Sequence, residues 1–265
     1  MSEDIDLSFI DRPEIRQFIF YPRKDHYTEP SISNATNHFV EVAQGTYIGC
    51  RLYQAKANCP IILYFHGNGE TVGDHDYIAP LYNQRGINLL VTDYRGYGIS
   101  GGEPTFTNMI RDAHVIFKAV NEIIDRSGYS KHLFLMGRSL GSAPAVELAS
   151  HYQKSLDGLI IESGFADIFR LLTFWGFRVD RAFMDKVRGL SNLGKIQSVH
   201  IPTLIIHAEY DHIIPLEEGK KLYHSAAAKD KRLLIIPNAD HNNLMLTGME
   251  QYFKAIESLV LEAGV

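Results

Sequence analysis

The sequence predicts an α/β fold, a doubly wound and mostly parallel sheet, on three observations. Short apolar runs of strand length alternate with helix-like segments from residue 61 onward. Those runs are continuous rather than alternating, as strands covered on both faces should be. One of them, over 133–136, enters Gly137-Arg138-Ser139-Leu140-Gly141, and a helix-forming segment leaves it. Gly-x-Ser-x-Gly at such a junction can hold a serine on a sharp strand-to-helix corner with its hydroxyl exposed.

The elements follow in order. Residues 15–21, 38–43 and 47–54 read as antiparallel strands, with Gly45 turning between the last two and Pro22 and Pro30 flanking a loop. Parallel-type strands are expected at 61–65, 89–92, 133–136, 159–161, 203–206 and 233–236. Helices are expected at 77–85, 108–126, 143–152, 217–227 and 249–261. The segment 166–196 is too long for a simple connection. It reads as a short helical lid inserted after the 159–161 strand. It mixes Phe169, Phe174, Trp175, Phe177 and Phe183 with Arg170, Arg178, Arg181 and Arg188. Those aromatics either line an acyl-chain pocket or anchor the lid to the body.

At 265 residues, 45% hydrophobic and 22% charged, the chain is expected to form one domain over 1–265. A net charge of -5 with scattered Lys and Arg argues against a nucleic-acid partner. Cys50 and Cys59 make no disulfide framework, which points to a reducing compartment. The start, Met1-Ser2-Glu3-Asp4-Ile5-Asp6, is acidic and lacks the pattern of a secretion signal. No apolar run reaches the length of a membrane span. The expectation is a cytoplasmic protein without a transmembrane segment; no pattern in the sequence sets an oligomeric state.

A serine nucleophile needs a base within hydrogen-bond reach, and the base needs an orienting acid. In doubly wound hydrolases the chain order is serine, acid, histidine. Downstream of Ser139, the 203–206 strand leaves into a polar loop carrying Asp211, and the 233–236 strand leaves into one carrying His241. Catalytic groups in open α/β sheets sit at such carboxyl ends. Ser139, Asp211 and His241 are therefore the expected triad. Glu162, directly after the 159–161 strand, is the main rival acid, and Asp240 is a weaker one. His66, His207 and His212 read as supporting residues of their loops. The oxyanion of acyl transfer needs preorganised donors. Those expected are the backbone N–H groups of Leu140, directly after the serine, and of Asn68 in His66-Gly67-Asn68-Gly69-Glu70. That glycine loop lacks the Lys and Ser/Thr of a phosphate loop. Asp93-Tyr94-Arg95-Gly96-Tyr97-Gly98 reads as a packed turn, and Trp175 as a packing residue. Asp74-His75-Asp76 are too close in sequence to converge on one ion. Neither a metal nor a cofactor is expected.

Taken together, these segments resemble the α/β-hydrolase superfamily. The resemblance is carried by residues 64–69, 93–100, 137–142, Glu162-Ser163-Gly164-Phe165 and the Asp211 and His241 loops, and it runs from about Phe20 to the carboxyl end. The His-Gly-Asn loop, the Gly-Arg-Ser-Leu-Gly-Ser elbow and the short lid look like the small-lid group of serine aminopeptidase-like, lipase-like and depalmitoylase-like acyl hydrolases. It implies an eight-stranded sheet with antiparallel early strands, Ser139 as nucleophile, Asp211 as acid and His241 as base. Asp240 departs from the pattern, since many relatives carry glycine there. The expected activity is hydrolysis of small-molecule carboxylic esters or thioesters through an acyl-enzyme. One alternative is a peptidase that receives a substrate ammonium on Glu70, Glu103 or Glu162. Another is a non-catalytic binding protein on the same fold.

Overall fold

The computed structural model describes residues 9–25, 29–180, 189 and 191–262. Eight strands form one mostly parallel sheet: β1 (Ala35–Ala43), β2 (Thr46–Tyr53), β3 (Ile61–Phe65), β4 (Asn88–Thr92), β5 (Leu133–Arg138), β6 (Gly158–Glu162), β7 (Thr203–Ala208) and β8 (Lys231–Ile236), in the order β1-β2-β4-β3-β5-β6-β7-β8. The chain falls into two compact units, one ending at Leu135 and the other beginning at Met136.

In the unit ending at Leu135, β1 and β2 form a hairpin turned by Gly45 at φ +69°, a value that favours glycine. Its register shifts between Glu41 and Ala43. β2 runs antiparallel to β4, and β4 parallel to β3. Of residues 15–21, expected as a strand, 15–19 instead belong to a helix, α1 (Pro13–Ile19), and Phe20 is its extended cap. Pro13 has its φ already set for a first helical turn, and Glu14 favours the positive end of the helix. Ile15 and Ile19, four apart, are buried on one stripe while Phe18 is exposed. The run carries too many apolar residues for its alternation to separate the two periods. α2 (Ala79–Asn83) follows β3. α3 (Phe106–Ser127) is capped by the Thr105 hydroxyl, which accepts from Asn108 N–H at 3.0 Å, and is closed by Gly128 at φ +67°. It buries Met109, Ala113, Ile116, Phe117, Val120 and Ile124 along one face. Each of these side chains except Ala113 contributes about 1.5–3 kcal/mol on burial.

In the unit beginning at Met136, β6, β7 and β8 are parallel neighbours. β6 and β7 are buried throughout, which explains their apolar centres, Leu159–Ile161 and Leu204–Ile206. The helices are α4 (Ser142–Tyr152), α5 (Ile168–Phe174), α6 (Asn192–Ile196), α7 (Leu216–Ser225), α8 (Leu244–Thr247) and α9 (Met249–Glu262). β8 opens on Lys231 and Arg232. Of the expected lid, α5 and α6 are described, whereas residues 181–188 and 190, with Arg181, Phe183 and Arg188, lie outside the described residues. Residues 1–6 lie outside them as well. Phe169 is buried and anchors α5 to the body, while Phe174 is exposed. Phe174, with Leu171 and Thr173 of α5 and Pro215 ahead of α7, lines an open groove of about 360 Å³. Among the described residues, no helix is long and apolar enough to cross a membrane.

Candidate active site

β5 ends at Arg138, and Ser139 opens the 3-10 turn Ser139–Gly141 that leads into α4. Ser139 sits at φ +51°, in the left-handed region that a side chain occupies only under strain. Gly137 is required here, because a Cβ on it would lie 2.2 Å from Gly141 O. The Ser142 hydroxyl donates to Ser139 O at 2.7 Å, and Asn192 Nδ2 donates to Ser142 Oγ at 3.3 Å and to Phe165 O at 2.9 Å. The strained corner is thus braced from α4 and α6.

β7 ends at Ala208, and three residues later Asp211 turns back on its own loop. Its Oδ1 accepts from Ile213 N at 3.0 Å and Ile214 N at 2.7 Å. β8 ends at Ile236 and the chain turns through Asn238 at φ +59° to His241. Asp240 stays local, its Oδ1 accepting from Asn242 N at 2.8 Å and Asn243 N at 3.0 Å.

The structure brings Ser139, Asp211 and His241 together. His241 Nδ1 lies 2.7 Å from Asp211 Oδ2, and His241 Nε2 lies 3.1 Å from Ser139 Oγ. All three are buried. Burial by itself pushes the Asp211 carboxyl up. The hydrogen bond and charge of His241, the Ile214 N–H and the nearby His207 outweigh it and hold the carboxyl below its ordinary value. Asp211 is therefore an acceptor at neutral pH. That assigns the Nδ1 proton to His241 and leaves Nε2 free to accept from Ser139 O–H. His207 sits beneath this loop, its Nε2 donating to Ile214 O at 2.9 Å and lying 3.5 Å from Asp211 Oδ2. Burial holds His207 below the usual histidine range.

Glu162, the rival acid, is engaged elsewhere: Arg138 Nε donates to its Oε1 at 3.1 Å, and Tyr252 of α9 donates to its Oε2 at 2.7 Å. Arg138 Nη2 also donates to the main-chain carbonyl of His241 at 2.7 Å. Sequence reasoning missed Arg138, Tyr252 and Ser142 as parts of this site. The available signal was Arg138 itself, a charge at the end of a strand whose other residues are all buried.

Of the two expected oxyanion donors, Leu140 lies in the turn directly after Ser139. Asn68 belongs to the other unit, in a tight loop after β3. Glu70 Oε2 accepts from Gly67 N at 3.0 Å, Asn68 Oδ1 accepts from Tyr21 N at 2.8 Å and Tyr97 O–H at 2.7 Å, and Gly69 takes φ +78°. His66 supports that loop through Gly67 O, 2.8 Å from its Nδ1, and lies 3.3 Å from Asp93. Asp93 in turn accepts from Val72 N and Ile99 N, so its segment is a packed turn. Asp74, His75 and Asp76 diverge: Asp74 caps Thr71 and pairs with Arg23, His75 Nδ1 bonds Thr71 O, and Asp76 pairs with Arg51. Glu103 is paired with Arg16 at the surface.

Comparison with known proteins places this geometry in context. The family described as serine aminopeptidase, S33, matches residues 56–191 and 181–245. The chain is 28% identical over 235 residues to the Escherichia coli (strain K12) protein YfhR, covering 84% of this chain and 79% of that protein. It is 32% identical over 200 residues to lysophosphatidylserine lipase ABHD12 of Xenopus tropicalis, covering 67% of this chain and 50% of that protein. The chain therefore corresponds to half of that lipase. The Pyrococcus furiosus esterase Pf2001 has the same fold, with a TM-score of 0.74 over 91% of this chain and 98% of that one at 16% identity. The match spans most of the sequence and includes the serine, the Asp211 loop and the His241 loop, so the chain belongs to the serine aminopeptidase S33 family of the α/β-hydrolase superfamily.

Proposed function

We propose that the protein is a serine hydrolase that cleaves small-molecule carboxylic esters or thioesters through an acyl-enzyme. The observation that carries the reading is the line of contacts from Asp211 through His241 to Ser139 Oγ. Ser139 attacks the acyl carbonyl while His241 Nε2 takes its proton. Asp211 keeps the imidazole in the tautomer that can accept, and stabilises the imidazolium that forms. The N–H group of Leu140 receives the oxyanion, and that of Asn68 is the second donor expected from the sequence. His241 returns its proton to the leaving oxygen or sulfur, then activates the water that releases the acid. Ester chemistry is favoured over peptide chemistry by the lipase and esterase among the similar proteins.

Fluorophosphonate labelling followed by turnover on nitrophenyl esters and acyl-CoA thioesters of increasing chain length tests this. The wild type should label and turn over; Ser139→Ala should do neither while staying folded. A Ser139→Ala protein that still labels would reject the nucleophile. Turnover of aminoacyl arylamides, with none of the acyl esters or thioesters, would move the reading to a peptidase.

A further inference from the structure

Arg138 sits immediately before Ser139, and its planar guanidinium reaches two places at once. Nη2–H donates to the His241 carbonyl at 2.7 Å, and Nε–H donates to Glu162 Oε1 at 3.1 Å. Tyr252 O–H holds the other Glu162 oxygen at 2.7 Å from a fully buried position on α9. The Arg138 and Glu162 side chains are only 14% and 5% exposed. Burying such a pair is expensive and offers little net stability over apolar residues of the same volume, so its presence calls for another reason.

We propose that Arg138 is a positioning residue for the reaction, holding the loop of the base against the strand of the nucleophile. The proposal rests on the reading of Ser139, Asp211 and His241 as the catalytic groups. Asp211 fixes His241 at its ring, and Arg138 fixes it at its main chain. Two anchors leave the imidazole little freedom to swing away from Ser139 between its acceptance and its return of the proton. The fork geometry of arginine suits this task, since its donors diverge at fixed angles from one rigid plane. Glu162 has a separate part. The base becomes an imidazolium during each half of the cycle, and a bare guanidinium beside its loop would oppose that charge. The Glu162 carboxylate offsets the cation, so Arg138 can hold the loop without repelling the proton it helps to place. A displacement of about 1 Å at a reacting group can cost on the order of a hundredfold in rate.

The test compares Arg138→Lys, Arg138→Met and the double variant Arg138→Met/Glu162→Gln with the wild type. The readouts are the fluorophosphonate labelling rate, kcat and KM on one nitrophenyl ester, and Tm. Arg138→Met leaves Glu162 buried beside a lost partner and should lower Tm. The double variant should regain most of that Tm yet stay about 10- to 100-fold low in kcat and labelling rate, with KM within about twofold. Arg138→Lys keeps the charge but has one donor head, so it should stay folded and lose roughly tenfold in kcat. A double variant or an Arg138→Lys protein with wild-type kcat, or a kcat loss that simply follows Tm across the series, would overturn the proposal. A wild type that resists labelling would instead end the underlying serine-hydrolase reading, and this one with it.

Discussion

Ser139 carries a backbone conformation that its own side chain disfavours, and that strain has a measurable size. At φ +51°, a residue with a Cβ costs about 1 kcal/mol relative to glycine. Ser139→Gly should therefore be more stable than Ser139→Ala by about 1 kcal/mol in urea unfolding, with both inactive. Equal stabilities would mean that the corner is unstrained. Asp211 makes a second residue-scale prediction. Its carboxyl is held below its ordinary value, so the stability it contributes is present above the unfolded-state value and is lost as pH falls through the folded one. The part of the stability gap between wild type and Asp211→Asn that comes from the carboxylate should close as pH falls below about 4. At neutral pH the same substitution should reduce turnover roughly ten-thousandfold, by analogy with other triads. A larger loss in Glu162→Gln would transfer the acid role to Glu162. The order Ser139, Asp211, His241 was readable because each residue follows its own strand and the corner motif marks the first. Arg138 and Tyr252 were not readable, because their contacts join residues 103 and 90 positions apart in the chain. No local pattern encodes such a pairing.

At the scale of elements, sequence and structure agree best where burial is two-sided. β3, β4 and β6 are buried at every position, and each has an unbroken apolar centre, Ile61–Phe65, Leu89–Val91 and Leu159–Ile161. The disagreement at α1 arises where burial is one-sided and the element is seven residues long. There the helical and extended periods share most of their apolar positions, and Pro13 was the better guide. The helix ends lie just outside the expected 108–126 segment, where Thr105 and Gly128 cap α3. Replacing Thr105 by Ala should cost about 1 kcal/mol in denaturant unfolding, since it strands the Asn108 N–H at the start of a 22-residue helix. A change within about 0.2 kcal/mol would show that water replaces the cap without loss.

Across the whole molecule, the two cysteines report on how tightly each environment is closed. Cys50 lies on β2 and is fully buried; Cys59 is half-buried. Burial pushes the Cys50 thiol up to about 12, a hydrogen bond to Thr92 opposes this, and the charge of Asp93 adds to it. Cys50 is thus a neutral, unreactive thiol at physiological pH, since the thiolate is the nucleophile. Iodoacetamide on the native protein should modify Cys59 first and reach Cys50 only on unfolding, with mass spectrometry reading the order. Early modification of Cys50 would show that β2 opens well below the global unfolding energy.

Among the described residues the strand order begins at β1 and ends at β8, two flanks where another chain could continue the hydrogen-bond ladder. Both flanks carry a deterrent. The register shift between Glu41 and Ala43 breaks the regular spacing of main-chain groups along one. Lys231 and Arg232 place two basic side chains at the start of the other, Arg232 paired with Asp230 and Lys231 donating to Ala226 O, so that a second copy adding there would have to repack these contacts. The irregular hairpin and the basic strand start thus guard the chain against templating its own aggregation.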